Sequence, residues 1–212
     1  MPKHEWRKRE KHLYLPKQEP TYIEIPGFSF LTISGAGNPN GATFTSCVQA
    51  LYAVCYAIKM NAKKLADPPA GYQDYTVYPL EGVWDLSEAG RAAYDGGPID
   101  KDELVFQLMI RQPDFVSREF YEEMRTLAHK KKPNPQIEKL RFERLEEGPC
   151  VHMMHLGSFD DEPASFERME AFTEKQQLRR LSKVHREIYL SDPRRTAEEK
   201  LKTVLRFEVA KR

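Results

Sequence analysis

The sequence predicts an α+β fold: two tandem strand-helix-strand-strand modules with pseudo-two-fold symmetry, forming one antiparallel sheet with helices on one face. Three observations predict it. The order strand, glycine-bearing loop, helix, strand, strand occurs twice in the 212 residues, with Gly35 and Gly157 in equivalent places. The first helix carries a continuous apolar stripe, so it has one face to bury. Strands such as the one around His185 to Leu190 alternate polar and apolar side chains, which points them to opposite sides of a sheet.

The elements follow in order. Residues 1–21 are charged and contain Pro16 and Pro20, so they read as an extended arm ahead of a single domain over residues 22–212. Phe28 to Ser34 (FSFLTIS) is aromatic and β-branched, a strand, and Gly35 to Gly41 breaks it into a loop. Between Thr43 and Ala66, the residues Phe44, Val48, Leu51, Cys55, Ile58, Ala62 and Leu65 recur at helical spacing. Thr43 or Thr45 would cap this helix, and Asp67-Pro68-Pro69 would stop it. Tyr75 to Leu86 is a strand interrupted by Pro79 and Gly82, and the strand Leu104 to Gln112 closes a first module at about residues 28–112. A helix over Ser117 to Lys131 and a strand near Leu140 to Leu145 lead to the second module, about residues 150–210. That module holds a strand over Cys150 to Leu156 and a helix from Pro163 to about Gln177. Asp160, Asp161 and Glu162 lie at the positive end of this helix. The strands Val184 to Leu190 and Lys202 to Ala210 complete it.

Composition narrows the function classes. With 33 basic and 32 acidic residues the formal charge is +1, so no global field favours nucleic acid or an anionic membrane. No apolar run approaches the roughly 18 residues that span a bilayer, and the basic N-terminus lacks the apolar core of a secretory signal. Three cysteines without paired spacing (Cys47, Cys55, Cys150) suit a reducing cytoplasm. Gly35-Ala36-Gly37 lacks the dinucleotide fingerprint, and no cofactor is expected.

The candidate site residues start with Glu187. Alternation puts His185, Glu187 and Tyr189 on one strand face, while Ile188 and Leu190 would face the helices. The polar trio would then look onto an uncovered concave face where the modules meet. A carboxylate between an imidazole and a phenol on a rigid strand suits catalysis or cation binding; it also suits a solvated edge, or a pair with Arg206. Trp84 offers a flat face for planar or cationic ligands, and reads equally as core. Tyr189 is placed to stack or donate a hydrogen bond, with Tyr75, Tyr121 and Phe172 as further aromatic candidates. His155 shares a face with Val151 and Met153, as a pocket polar group or an edge histidine. His152 faces the other way, so the HMMH spacing makes no chelate, and no metal site is expected. Cys150 has no base within reach and reads as inert. Glu81 reads as solvated.

The combination of YTVYPLEGVWDL (75–86), LMIRQP (108–113) and HREIYLSDPRR (185–195) resembles the GyrI-like small-molecule-binding proteins over about residues 25–210. The resemblance implies an aromatic pocket at the repeat junction and an essential acid on the second module's penultimate strand, here Glu187, and it favours Trp84 as part of the cage. Some members carry a helix-turn-helix region and act as drug-sensing regulators, whereas only a short arm precedes the first strand here. A stand-alone branch hydrolyses cyclopropane-bearing DNA alkylators of the yatakemycin and duocarmycin type, and this sequence looks closer to it. The expected partner is a planar aromatic, hydrophobic or cationic small molecule, without membrane or direct nucleic-acid contact. Alternatives are a non-catalytic drug-binding module, a protein-docking module of the gyrase-modulator kind, or a regulator's effector domain.

Overall fold

The computed structural model describes residues 3–212, so the first two residues of the expected arm lie outside the described residues. The remainder of that arm is not extended. It forms two short helices, α1 (Trp6–Arg9) and α2 (Lys11–Tyr14), that bury Trp6, Leu13 and Tyr14. The rings of Trp6 and Tyr14 meet at 5.1 Å. The density of charge masks three large apolar side chains, and their burial determines the local structure.

After α2 come β1 (Thr21–Ile25), β2 (Phe28–Ala36), α3 (Ala42–Ala62), β3 (Leu80–Leu86), α4 (Glu88–Ala93), β4 (Leu104–Gln112), α5 (Arg118–Lys131), β5 (Arg141–Leu145) and β6 (Gly148–Leu156). Then follow α6 (Glu162–Lys175), β7 (Leu178–Arg180), β8 (His185–Tyr189) and β9 (Lys202–Lys211). The α+β class and the doubled strand-helix-strand-strand order are those the sequence predicts. The chain folds as two compact units, one holding residues 3–5, 28–78 and 84–145, the other residues 6–27, 79–83 and 146–212.

In the first unit β2 pairs antiparallel with β4 on one side and β5 on the other. Helix α3 buries Leu51, Cys55, Ile58 and Ala62 of the expected stripe, and beside them Cys47, Ala50 and Val54, a second row that widens the buried face. Its cap is Gly41, with no side-chain bond, rather than a threonine. It stops at Ala62, before the prolines, leaving Leu65 exposed. The strand expected from Tyr75 begins only at Leu80, consistent with Pro79 lacking a ladder donor. Gly35 is required by close approach: a Cβ there would lie 2.5 Å from the ring of Phe106.

In the second unit β6 lies between β1 and β9, and β9 pairs with β8 and β7 along its other edge. The register sorts every side chain. Glu187 stands opposite Leu205, which stands opposite Met153, so these three share one face. That face is the one helix α6 covers: Met169 packs with Val151, Met153, Leu205 and Phe207, and Phe166 and Phe172 pack against the same cluster. The trio His185, Glu187 and Tyr189 therefore points at the helix and not away from it, a correction to the expected arrangement. Alternation identified the set correctly but not its side. Ile188 on the opposite face is fully buried as well, beside Arg186, so burial of the apolar residue did not mark the helix face.

Candidate functional site

The site is built where the first turn of α6 crosses β8. Gly157, with φ +121°, turns the chain out of β6, a conformation that favours glycine. The turn brings the Ser158 carbonyl to 2.8 Å from His155 Nε2. A carbonyl only accepts, so Nε2 carries the proton and Nδ1 is left to accept from Ser165 Oγ at 2.9 Å. His155 thus ties β6 to α6 and fixes the register of the helix over the sheet.

That register places Glu162, the first residue of α6, over Glu187. A carboxylate oxygen of Glu162, one of Glu187 and a ring nitrogen of His185 all lie within 4.8 Å of one another. His185 Nε2 is 3.1 Å from Glu187 Oε1. Glu162 is 6% exposed and Glu187 9%. Two effects oppose each other at Glu162. The helix N-terminus favours a negative charge, worth at most ~2 kcal/mol. Burial, followed by the charge and hydrogen bond of Glu187, pushes the Glu162 carboxyl well above the usual carboxylate range, and these dominate. Glu162 Oε1 has no hydrogen-bond partner among the described residues.

Rings flank the cluster. Phe166 meets His185 edge-on at 4.7 Å, and Phe159 meets Tyr189 edge-on at 6.0 Å. Phe159 is exposed, and His185 and Tyr189 are half-buried, so the cluster has a wet, aromatic rim. The second unit thus brings together Glu187, Tyr189 and His155 from the sequence-derived candidates. Phe172 packs at the helix's inner face. Trp84, Tyr75 and Tyr121 belong to the first unit. Trp84 is buried, stacked on Phe44 at 5.8 Å and tilted on Phe106 at 5.6 Å. Tyr75 packs on Phe115, and the Tyr121 hydroxyl donates to the Leu140 carbonyl at 2.7 Å.

On the opposite face of β8 and β9, Arg186 and Arg206 stand directly opposite each other. Glu81 accepts from Arg186 at 2.8 Å, and Glu147 accepts from Arg206 at 2.6 Å. Glu81 is therefore buried rather than solvated, because two desolvated guanidiniums side by side need two carboxylates. This arrangement also takes Arg206 away from Glu187. Cys150 is fully buried and its thiol is pushed up to about 12, by burial first, which agrees with its reading as inert.

Sequence reasoning missed Glu162, Ser165 and Phe166 as site residues. Glu162 was visible only as an acid at a helix N-terminus, and nothing local tells that this turn lies over Glu187, 25 positions on.

The chain matches the family described as the GyrI-like small molecule binding domain over residues 18–210, and it belongs to that family. A solved hydrolase from Listeria innocua is 38% identical, with 98% of this chain and all of that one covered and a TM-score of 0.86. An uncharacterized conserved protein from Listeria innocua is 41% identical, covering 98% of this chain and all of its own at a TM-score of 0.88. The EcmrR C-terminal domain, 12% identical over 92% of this chain and 98% of its own at a TM-score of 0.51, shares the fold. None of the curated proteins compared matches the chain. Among the described residues no helix is long and apolar enough to cross a membrane.

Proposed function

We propose that this GyrI-like protein is a cytoplasmic hydrolase that binds a planar, hydrophobic or cationic xenobiotic and opens an electrophilic ring in it, such as the cyclopropane of the yatakemycin and duocarmycin alkylators, as a detoxification. The observation that carries the reading is the convergence of Glu162, Glu187 and His185 behind an aromatic rim. Glu187 would orient and deprotonate a water, assisted by the imidazole of His185. Glu162 is the partner acid: two carboxylates this close share a proton, which is available to the departing oxygen or carbon framework. Tyr189 and Phe159 offer ring edges and faces to a flat ligand, and His155 with Ser165 holds the helix turn that carries Glu162. Two observations outside the site support hydrolysis: the 38% identical hydrolase from Listeria innocua and a second hydrolase from the same organism at 39% identity, covering 99% of this chain and all of its own with a TM-score of 0.88.

The test incubates the protein with a cyclopropane-bearing alkylator and follows the product by mass spectrometry. Gain of one water by the wild type, and not by Glu187→Gln of unchanged fold, is the expected outcome. Ligand that is bound and returned unaltered would make the protein a drug-binding module instead.

A further inference from the structure

The cluster on α6 and β8 has more acceptors than donors. His185 Nδ1 faces the Lys183 carbonyl at 3.4 Å, and that carbonyl only accepts. His185 Nε2 lies 3.1 Å from Glu187 Oε1, a carboxylate oxygen that accepts from it; the tautomer with its proton on Nδ1 turns an Nε2 lone pair toward the same place. Glu187 in turn meets Glu162, whose Oε1 is buried and without a partner among the described residues. An imidazole nitrogen and two carboxylates thus converge on one small volume, and no lysine or arginine among the described residues forms an ion pair with either Glu162 or Glu187.

We propose that Glu162, His185 and Glu187 form a binding site for a single divalent transition-metal cation of the zinc or cobalt kind. The donor set, one imidazole nitrogen and two carboxylate oxygens, suits a borderline-soft cation and leaves a fourth position open. The dimensions fit. Tetrahedral ligands at about 2.0–2.2 Å from zinc lie about 3.4 Å from each other, and the three donors here are within 4.8 Å, so rotation of one carboxylate completes the set. The Lys183 carbonyl supplies the outer contact that orients a metal-binding histidine, and Phe166 against the imidazole limits its swing. Calcium would want six or more oxygens, which this cluster does not offer. The site goes beyond the hydrolase reading and does not need it: a metal ion and the proton held between the two carboxylates are alternative occupants of one place.

Its test needs no substrate. The chelator-treated, dialysed protein is titrated with zinc chloride by calorimetry and with cobalt chloride by visible absorbance, at neutral pH. One ion per chain is expected, with the intense visible bands of low-coordinate cobalt. Glu162→Gln and His185→Gln should each weaken zinc binding at least tenfold, while His129→Gln, a half-buried histidine of the other unit, should leave it unchanged. Circular dichroism of each variant keeps misfolding separate from lost ligation, and the two substitutions act on different elements, so either one that folds suffices. No stoichiometric binding by the wild type, or equal binding by a folded Glu162→Gln or His185→Gln variant, would overturn the site, and neither result depends on turnover.

Discussion

Arg186 donates to Glu81 across 2.8 Å with both side chains at 5% exposure or less. Directly across the ladder stands Arg206, held by Glu147. Neighbouring residues on one strand thus serve opposite ends: Arg186 belongs to a neutralised buried network, and Glu187 to an acid cluster under a helix.

The network yields a stability prediction. Removing one member of a buried ion pair leaves an uncompensated charge, at about 3–5 kcal/mol. Glu81→Ala should therefore destabilise by about that amount in urea denaturation. Adding Arg186→Met should recover much of the loss, since an apolar isostere removes the stranded charge. Equal destabilisation by the single and double variants would contradict the pairing.

His152 sits on the same face as this network, opposite Arg206. Burial first, then the charges of Arg206 and His12, lowers its pKa from 6.5 to about 4, with Glu147 acting the other way. The unfolded chain takes up this proton near pH 6.5, whereas the folded chain resists it until about pH 4. Stability from this residue is thus complete above about 6.5 and falls as pH drops through that window, by about 3 kcal/mol at the bottom of it. Burial pushes Glu147 up, but Arg206 and Arg186 together outweigh it and hold the carboxyl low; this adds a slope of the same sign, so the comparison must be with a variant. His152→Gln should lose about 3 kcal/mol less than the wild type between pH 7 and pH 4, as measured by urea denaturation at each pH.

Much of this was legible in the sequence, and the reasons differ by element. β4 needed no correction because Leu104, Phe106, Leu108 and Ile110 recur at every second position and give the strand one apolar face. The repeat was legible because loops and glycines punctuate it, even though the glycines act differently: Gly157 supplies a positive φ, and Gly35 makes room for Phe106. What sequence could not supply was which side of β8 the helix takes. Arg186 looks like a solvent residue until Glu81, 105 positions earlier, is placed against it. Glu162 shared that obscurity, since its partner is remote and its own neighbours explain it adequately as a helix-end acid.

Trp84 follows from the packing of the first unit. Its ring lies against Phe44 and Phe106 at 5% exposure, so its faces are occupied by protein. Trp84→Ala should destabilise by about 3–5 kcal/mol through the cavity it opens. Trp84→Phe keeps an aromatic body there and should cost far less. At a temperature where Trp84→Phe is folded, affinity for a planar cationic dye should match the wild type. A tenfold loss of affinity at unchanged stability would assign Trp84 to the ligand.

Glu162 carries the sharpest prediction, because stability and function pull on it in opposite directions. Two buried carboxylates facing each other are held together only by a proton or a cation between them. Glu162→Gln places a permanent amide donor opposite Glu187 in nearly the same volume, and it should raise stability by about 1 kcal/mol in urea denaturation at pH 7. The same substitution removes the acid and should abolish turnover of an alkylator while leaving its binding in place. A Glu162→Gln variant that is less stable than the wild type by more than 1 kcal/mol would mean that the carboxylate makes a stabilising bond of its own. A more stable variant that still hydrolyses would confine the chemistry to Glu187 and His185 alone.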